Sequence, residues 1–234
     1  MAEDFSLFSL SDTAFTRRRK LPVEHIVGSL LHMATSQSHF GYQLLCADYF
    51  NSIENSKKVV TIARSSFSEA RENLSWQAFE YLLSKVQLKH NNTWKGHRIR
   101  AVDGTKLLLP RSKEILKHYP IWKSHFGVPH YPQALLVVAS DLMTGQPVWA
   151  DLGNKHTSER EALVQCLSTF EVGDIAVLDR GFQGYRVMKA FHERKQHFVI
   201  RLKSRGKGVT KLIDPKKKDH TQTIEMSSGE SMKV

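Results

Sequence analysis

The sequence predicts a two-part chain, a helical first portion followed by a mixed α/β layer with flanking helices. Three observations carry this. Apolar residues recur at three- and four-residue spacing as far as Val86, the period of helices with one buried face. From Trp94 the pattern changes to short, β-branched runs bounded by glycine, proline and asparagine, which is how buried strands read. Two of those runs deliver an aspartate into a glycine: Arg98–Val102 leads to Asp103-Gly104-Thr105, and Ile175–Leu178 leads to Asp179-Arg180-Gly181.

In the first portion, Pro22 suits a first helical turn, and Val23, Ile26, Val27, Leu30, Leu31 and Ala34 follow at helical spacing. Leu44, Leu45, Tyr49 and Phe50 form a second apolar stripe. Ser66-Phe67-Ser68-Glu69 has the spacing of a capping box, so a third helix is expected to start there and to carry Arg71. Trp76, Phe79, Leu82, Leu83 and Val86 mark a fourth face. Short consecutive helices with an arginine on the third are compatible with a helix-turn-helix-like DNA-binding module and equally with a plain helical bundle. The run Arg17-Arg18-Arg19-Lys20 suits a phosphate backbone, although such runs are often simply solvated.

In the second portion, strands are expected at 97–103, 133–140, 146–152, 174–179 and 197–203, with Asp141–Gly145 turning between the second and third. Thr157 and Ser158 can cap a helix whose first turn holds Glu159 and Glu161, acids placed at the positive end of the helix dipole. Leu163, Cys166, Leu167 and Phe170 give that helix its apolar face, and Tyr185, Met188 and Phe191 mark a shorter one. The order is β-β-β-α-β-α-β, with one acid ending the first strand and another the fourth. That is the order of a ribonuclease-H-like sheet, in which the first and fourth strands are neighbours. Asp103 and Asp179 would then meet despite a separation of 76 residues.

Composition narrows the function classes. Lys and Arg number 34 against 23 acids, a net charge of +11, and a chain this basic suits a polyanion, nucleic acid foremost. No run approaches 18 uninterrupted apolar residues, so no membrane-crossing segment is expected. The start Met1-Ala2-Glu3-Asp4 lacks the pattern of a signal peptide, and a cytoplasmic location is expected. Cys46 and Cys166 sit in apolar helical patterns and read as buried free thiols. His118, His125 and His130 match no ligand spacing and read as loop residues.

Asp103 and Asp179 admit two readings. Asp-Gly sequences often cap turns. Two carboxylates at the edge of one sheet also suit hard, oxygen-ligated divalent cations and hence phosphate chemistry.

Several segments together resemble the insertion-sequence-4-like DDE transposases. They are Phe15–Pro22, Phe67–Arg71, Arg98–Pro110 around Asp103, Thr157–Arg160, Leu178–Phe182 around Asp179, and Phe198–Lys203. The resemblance implies a helical N-terminal DNA-binding region over 1–93, a ribonuclease-H-like catalytic core over 94–203, and the start of a β-rich insertion with a basic tail over 204–234. It implies two Mg²⁺ (or Mn²⁺) ions held by an Asp-Asp-Glu triad, with Asp103 and Asp179 as the first two acids. It also implies terminal DNA repeats as partner, dimers on paired ends, and DNA contacts from Arg17, Arg18, Arg19, Lys20, Arg71, Arg180 and Lys203. Lys106 is a further candidate for scissile phosphates.

The departure from the family pattern concerns the third acid. The family places it as a Glu on a late helix within a Tyr…Arg…Glu…Lys signature, and no such signature follows Lys203. Residues 201–218 instead hold eight basic residues against Asp214. Glu193, Glu225 and Glu230 are poor substitutes by context. The expectation is therefore a truncated transposase without the final core helix and with little or no strand-cleaving activity of its own. Two other classes stay open: a DNA-binding remnant that occupies element ends, and a different ribonuclease-H-like nuclease using Asp103, Asp179 and an unrecognised acid.

Overall fold

Apolar spacing and strand alternation fold the chain as two units, 1–88 and 89–234, seen in a computed structural model. It describes residues 5–16, 21–36, 41–53, 61–86, 93–119, 121, 127, 131–154, 158–203, 214, 216–217, 221, 223–225 and 231–233. Arg17–Lys20, His125, His130, Thr157, Lys218 and Glu230 lie outside the described residues.

In the first unit, a 3₁₀ turn (Phe5–Phe8) precedes α1 (Val23–Thr35), α2 (Tyr42–Ile53), α3 (Arg64–Glu72) and α4 (Gln77–Val86). Val23, Ile26, Val27, Cys46, Phe50, Phe67, Leu74 and Ala78 form its core. The segment after the 3₁₀ turn lies along the α3–α4 link. There Ser75 N donates to Phe8 O at 2.8 Å and Leu10 N to Asn73 O at 2.8 Å.

Three expectations for this unit are corrected. Pro22 is the N-cap of α1 and not a residue of its first turn. Helix α3 begins at Arg64 behind Ala63, which makes no side-chain cap; the backbone turns helical two residues before Ser66, leaving the expected capping serine inside the helix. Leu44 and Trp76 are 58% and 65% exposed. In α2 only Leu44 leaves the expected face: Phe50 is buried beside Cys46 and Tyr49 packs against the same core, while Trp76 precedes α4.

In the second unit, β1 (Ile99–Leu108), α5 (Lys113–His118), β2 (Gln133–Asp141), β3 (Pro147–Gly153), α6 (Glu159–Cys166), β4 (Ile175–Leu178), α7 (Tyr185–Glu193) and β5 (His197–Ile200) follow in order. The five strands form one mixed sheet in the order β3-β2-β1-β4-β5. A separate two-stranded ladder joins β6 (Thr223–Glu225) and β7 (Ser231–Lys233). The hairpin between β2 and β3 turns where expected. Asp141 Oδ1 accepts from Met143 N and Thr144 N at 2.9 and 3.1 Å, and Gly145 adopts φ +71°, a conformation suited to glycine. Parallel pairing of β1 with β4, and of β4 with β5, with helices α6 and α7 in the crossovers, gives the ribonuclease-H-like arrangement.

Alternate residues of the strands bury one face under α6 and α7. Val102, Val137, Ala139, Ala176 and Leu178 from the sheet pack with Ala162, Leu163, Cys166, Val187 and Phe191 from the helices. Cys46 and Cys166 are both buried free thiols; burial pushes Cys166 up to about 11. Gln196, also buried, ties α7 to the end of α6 through its Nε2, which donates to Leu167 O and Phe170 O at 3.1 and 3.0 Å.

Charged groups secure the end of the sheet where β1 and β4 begin. Arg98 Nε meets Asp174 Oδ1 at 2.8 Å and its Nη2 meets Glu171 Oε2 at 2.6 Å. Arg100 lies 3.5 Å from Asp141 and 3.7 Å from Asp174. Asp174, 2% exposed, is thus shared by Arg100 of β1 and by Arg98 directly before it. Removing one member of a buried pair leaves an uncompensated charge. Asp174→Ala is therefore expected to cost about 3 kcal/mol or more, read as a lower urea midpoint at unchanged m. Glu171→Ala, at the exposed end of the same cluster, is expected to move the midpoint far less.

Candidate active site

Strand register decides where the two aspartates stand. The last residues paired between β1 and β4 are Val102 and Leu178, and the next on each chain are Asp103 and Asp179. Neighbouring strands lie about 4.8 Å apart, so the two acids leave the ladder side by side. Both are exposed. Asp103 Oδ1 accepts from Gly104 N at 2.9 Å and Asp179 Oδ1 from Gly181 N at 2.6 Å.

One expectation needs correction. Asp103 does not end its strand. β1 continues to Leu108, paired with β2 from Arg100↔Asp141 to Leu108↔Gln133. What ends after Val102 is the pairing with β4, because β4 is only four residues long. The carboxylate reaches the edge because its neighbour stops.

A third acid, Glu159, was read from the sequence only as a complement to the helix dipole. Ser158 starts α6 as its N-cap, accepting from Glu161 N through Oγ at 3.1 Å, which puts Glu159 on the first turn. Arg160 Nε donates to Gly181 O at 2.9 Å and fastens this helix end to the turn behind Asp179. The Glu159 side chain then occupies space that glycine leaves open. A Cβ on Gly104 would fall 2.8 Å from Glu159 Oε1 and 2.9 Å from its Cδ. A Cβ on Gly181 would fall 2.8 Å from Asp179 Oδ1 and 3.6 Å from Glu159 Oε2. One point thus has carboxylate oxygens of both residues around it.

Electrostatics agree with this placement. Burial first, then the charge of Asp103 and then that of Asp179, pushes the Glu159 carboxyl above its ordinary range, against the opposing pull of Lys106 and Arg160. A sequence signal for Glu159 did exist: a capped helix start, directly after the third strand, with an acid in its first position.

The other predicted residues separate into groups. Arg180 is exposed beside Asp179. Lys203 reaches the same edge, its amide donating to Gln183 Oε1 at 3.1 Å. Arg71 lies in the first unit, exposed on the last turn of α3. His118 is exposed at the end of α5. Glu193 pairs with Lys189 at 3.6 Å within α7.

Hard carboxylate oxygens at an exposed edge fit Mg²⁺ or Mn²⁺, and the bare Cα atoms of Gly104 and Gly181 leave room for the Glu159 and Asp179 side chains. Among the described residues no trio of His, Cys, Asp or Glu side chains is already drawn around a single point.

The fold is a ribonuclease-H-like mixed sheet, with Asp103 in β1 and Asp179 directly after its parallel neighbour β4. Residues 94–231 match the family described as "Transposase DDE domain", more than half of the 234 residues; the chain belongs to that family. No curated protein matches. Among solved structures, the chain is similar to the "Mos1 transposase paired-end complex with left transposon end", with 11% identity over 72% of this chain and 70% of that one and a TM-score of 0.31. It is also similar to a "pre-cleavage Mos1 transpososome", with 11% identity over 73% and 71% and a TM-score of 0.28. At such low identity and TM-scores these two add nothing to the family match. Among the described residues no helix is long and apolar enough to cross a membrane.

The cap at Ser158 sets where Glu159 stands, so it is open to a direct test. Ser158→Ala is expected to cost about 1 kcal/mol in thermal unfolding and to speed amide exchange in the first turn of α6.

Proposed function

We propose that this chain carries the DNA strand-cleavage and strand-transfer site of an insertion-sequence-4-like transposase from a bacterial insertion sequence. The single observation that supports the reading is the abreast placement of Asp103 and Asp179 where the β1–β4 ladder ends. Their carboxylates would hold Mg²⁺ or Mn²⁺. A pair of such ions, when bound, supplies activation of the attacking oxygen and neutralises the leaving one in an in-line displacement at phosphorus.

The remaining work falls to the chain's own residues. Arg180 beside the site, and Lys203 held near it through Gln183, would receive phosphates flanking the scissile bond. Arg17, Arg18, Arg19, Lys20 and Arg71 of the N-terminal region would hold terminal repeats by their backbone, two chains bringing two ends together. Such contacts position DNA without reading its sequence. The bacterial cytoplasm, at the nucleoid, is where such a chain would work.

One observation favours a second reading: a net charge of +11 holds DNA by its backbone whether or not the acids react. Such a chain would occupy element ends without cutting them.

A plasmid bearing the element's ends separates the readings. Slow, Mg²⁺-dependent nicking that falls to background in Asp103→Asn and in Asp179→Asn is the expected result. End binding that is unchanged by metal, with no nicking, identifies the second reading. Nicking that persists in Asp103→Asn overturns the first.

A further inference from the structure

We propose that Arg160, in the first turn of α6, is a positioning residue for Asp179 and acts through the backbone of Gly181. The inference rests on the reading of Asp179 as part of the strand-cleavage site. It assigns to Arg160 the task of holding that carboxylate in one direction.

Two hydrogen bonds meet on a single residue. The Gly181 amide donates to Asp179 Oδ1 at 2.6 Å, and the Gly181 carbonyl accepts from Arg160 Nε at 2.9 Å. The first bond sets the direction of the carboxylate. The second sets where the donor of the first bond stands. The carboxylate also lies close over Gly181, where a Cβ would fall 2.8 Å from Oδ1. Movement of this backbone therefore moves the acid. Groups standing behind a functional side chain commonly fix its orientation in this way.

Arg160 acts from a fixed base. The Ser158 cap holds the start of α6, its Oγ accepting from Glu161 N at 3.1 Å, and Ala162 and Leu163 anchor the helix in the core. The guanidinium runs on past Gly184, where a Cβ would fall 3.7 Å from Nη1. On its far side the turn is secured by other means. Phe182 is buried in the core, and the Lys203 amide donates to Gln183 Oε1 at 3.1 Å. Loss of the Arg160 bond thus frees the near side of the turn, next to Asp179, and leaves the far side in place.

Arg160 has a second property, a positive charge that opposes the rise of the Glu159 carboxyl. Hydrogen bond and charge are separable by substitution. Glutamine puts its Nε2 as many bonds from the backbone as arginine puts Nε, and it carries no charge. Lysine keeps the charge and has a methylene at that place.

Hydrogen exchange of the Gly181 amide, followed by NMR in the full chain without metal or DNA, reads the Gly181–Asp179 bond directly. Arg160→Met and Arg160→Lys are each expected to speed that exchange by about fivefold or more. Arg160→Gln is expected to leave it unchanged, and the Lys203 amide is expected to keep its rate in all three. On a plasmid bearing the element's ends, nicking is expected to fall in the Met and Lys variants and to persist in the Gln variant, with equal DNA binding throughout.

Unchanged Gly181 exchange in Arg160→Met overturns the proposal. Recovery by Lys and not by Gln also overturns it, because the effect then belongs to charge. Equal acceleration at Gly181 and Lys203 overturns it as well, since the whole turn has then loosened. Full nicking by Arg160→Met, despite faster Gly181 exchange, overturns the role of Arg160 in the reaction. Should circular dichroism show Arg160→Met to be unfolded, the contrast between Gln and Lys decides. An unmodified chain that does not nick overturns the strand-cleavage reading alone, and the exchange pattern still decides what Arg160 does for Asp179.

Discussion

The register of four residue pairs, Ile99↔Ile175 through Val102↔Leu178, is the constraint on which the rest of this unit depends. Strand side chains alternate faces, so a slip of one residue would turn Val102 or Leu178 out of the core and set Asp103 against the wrong neighbour. Hydrophobic burial penalises such a slip. The charged cluster at the opposite end penalises it again, because Asp174, just before β4, is shared by Arg98, just before β1, and by Arg100 within it. Ion pairs of this kind contribute little net stability over well-packed apolar groups. Their geometry nevertheless admits one alignment. The same two strands thus carry pairing charges at one end and the candidate site at the other.

Helix α6 solves a second placement problem. Its apolar side is locked into the sheet by Ala162, Leu163 and Cys166, each 0% exposed. Its N-terminus is held by the Ser158 cap and by Arg160 on Gly181 O. Between these fixed points Glu159 has little choice of position. The result is locally unfavourable, since three carboxylates share one edge and only Lys106 and Arg160 oppose them electrostatically. Sites that must bind charge are commonly built this way, with the stabilising contacts elsewhere in the domain.

Much of this was legible in the sequence because the relevant signals are local. The five strands of the main sheet, the Asp141–Gly145 turn and the Ser158 cap all follow from alternation and turn chemistry within a few residues. The rest depended on partners far along the chain. Lys106–Leu108 reads as the exit from a turn, yet it is strand, because β2 pairs with it from more than twenty residues away. Leu44 and Trp76 fit apolar stripes and still face outward, since periodicity gives the width of a face and not its neighbour. Glu159 was visible as a first-turn acid. Nothing in its own segment reveals that α6 points that turn at Asp103 and Asp179.

Charge also sets an order of events at the candidate site. The chain as a whole carries +11 and attracts a phosphate backbone over a distance set by ionic screening. At the edge of the sheet Asp103 and Asp179 both act on Glu159, so negative charge gathers there. A phosphate drawn in by the general field would be repelled over its last few ångströms unless that edge is neutralised. Lys106 and Arg160 offset part of this repulsion. On the proposed function, acids at the centre with bases around them would take cations first and a polyanion second.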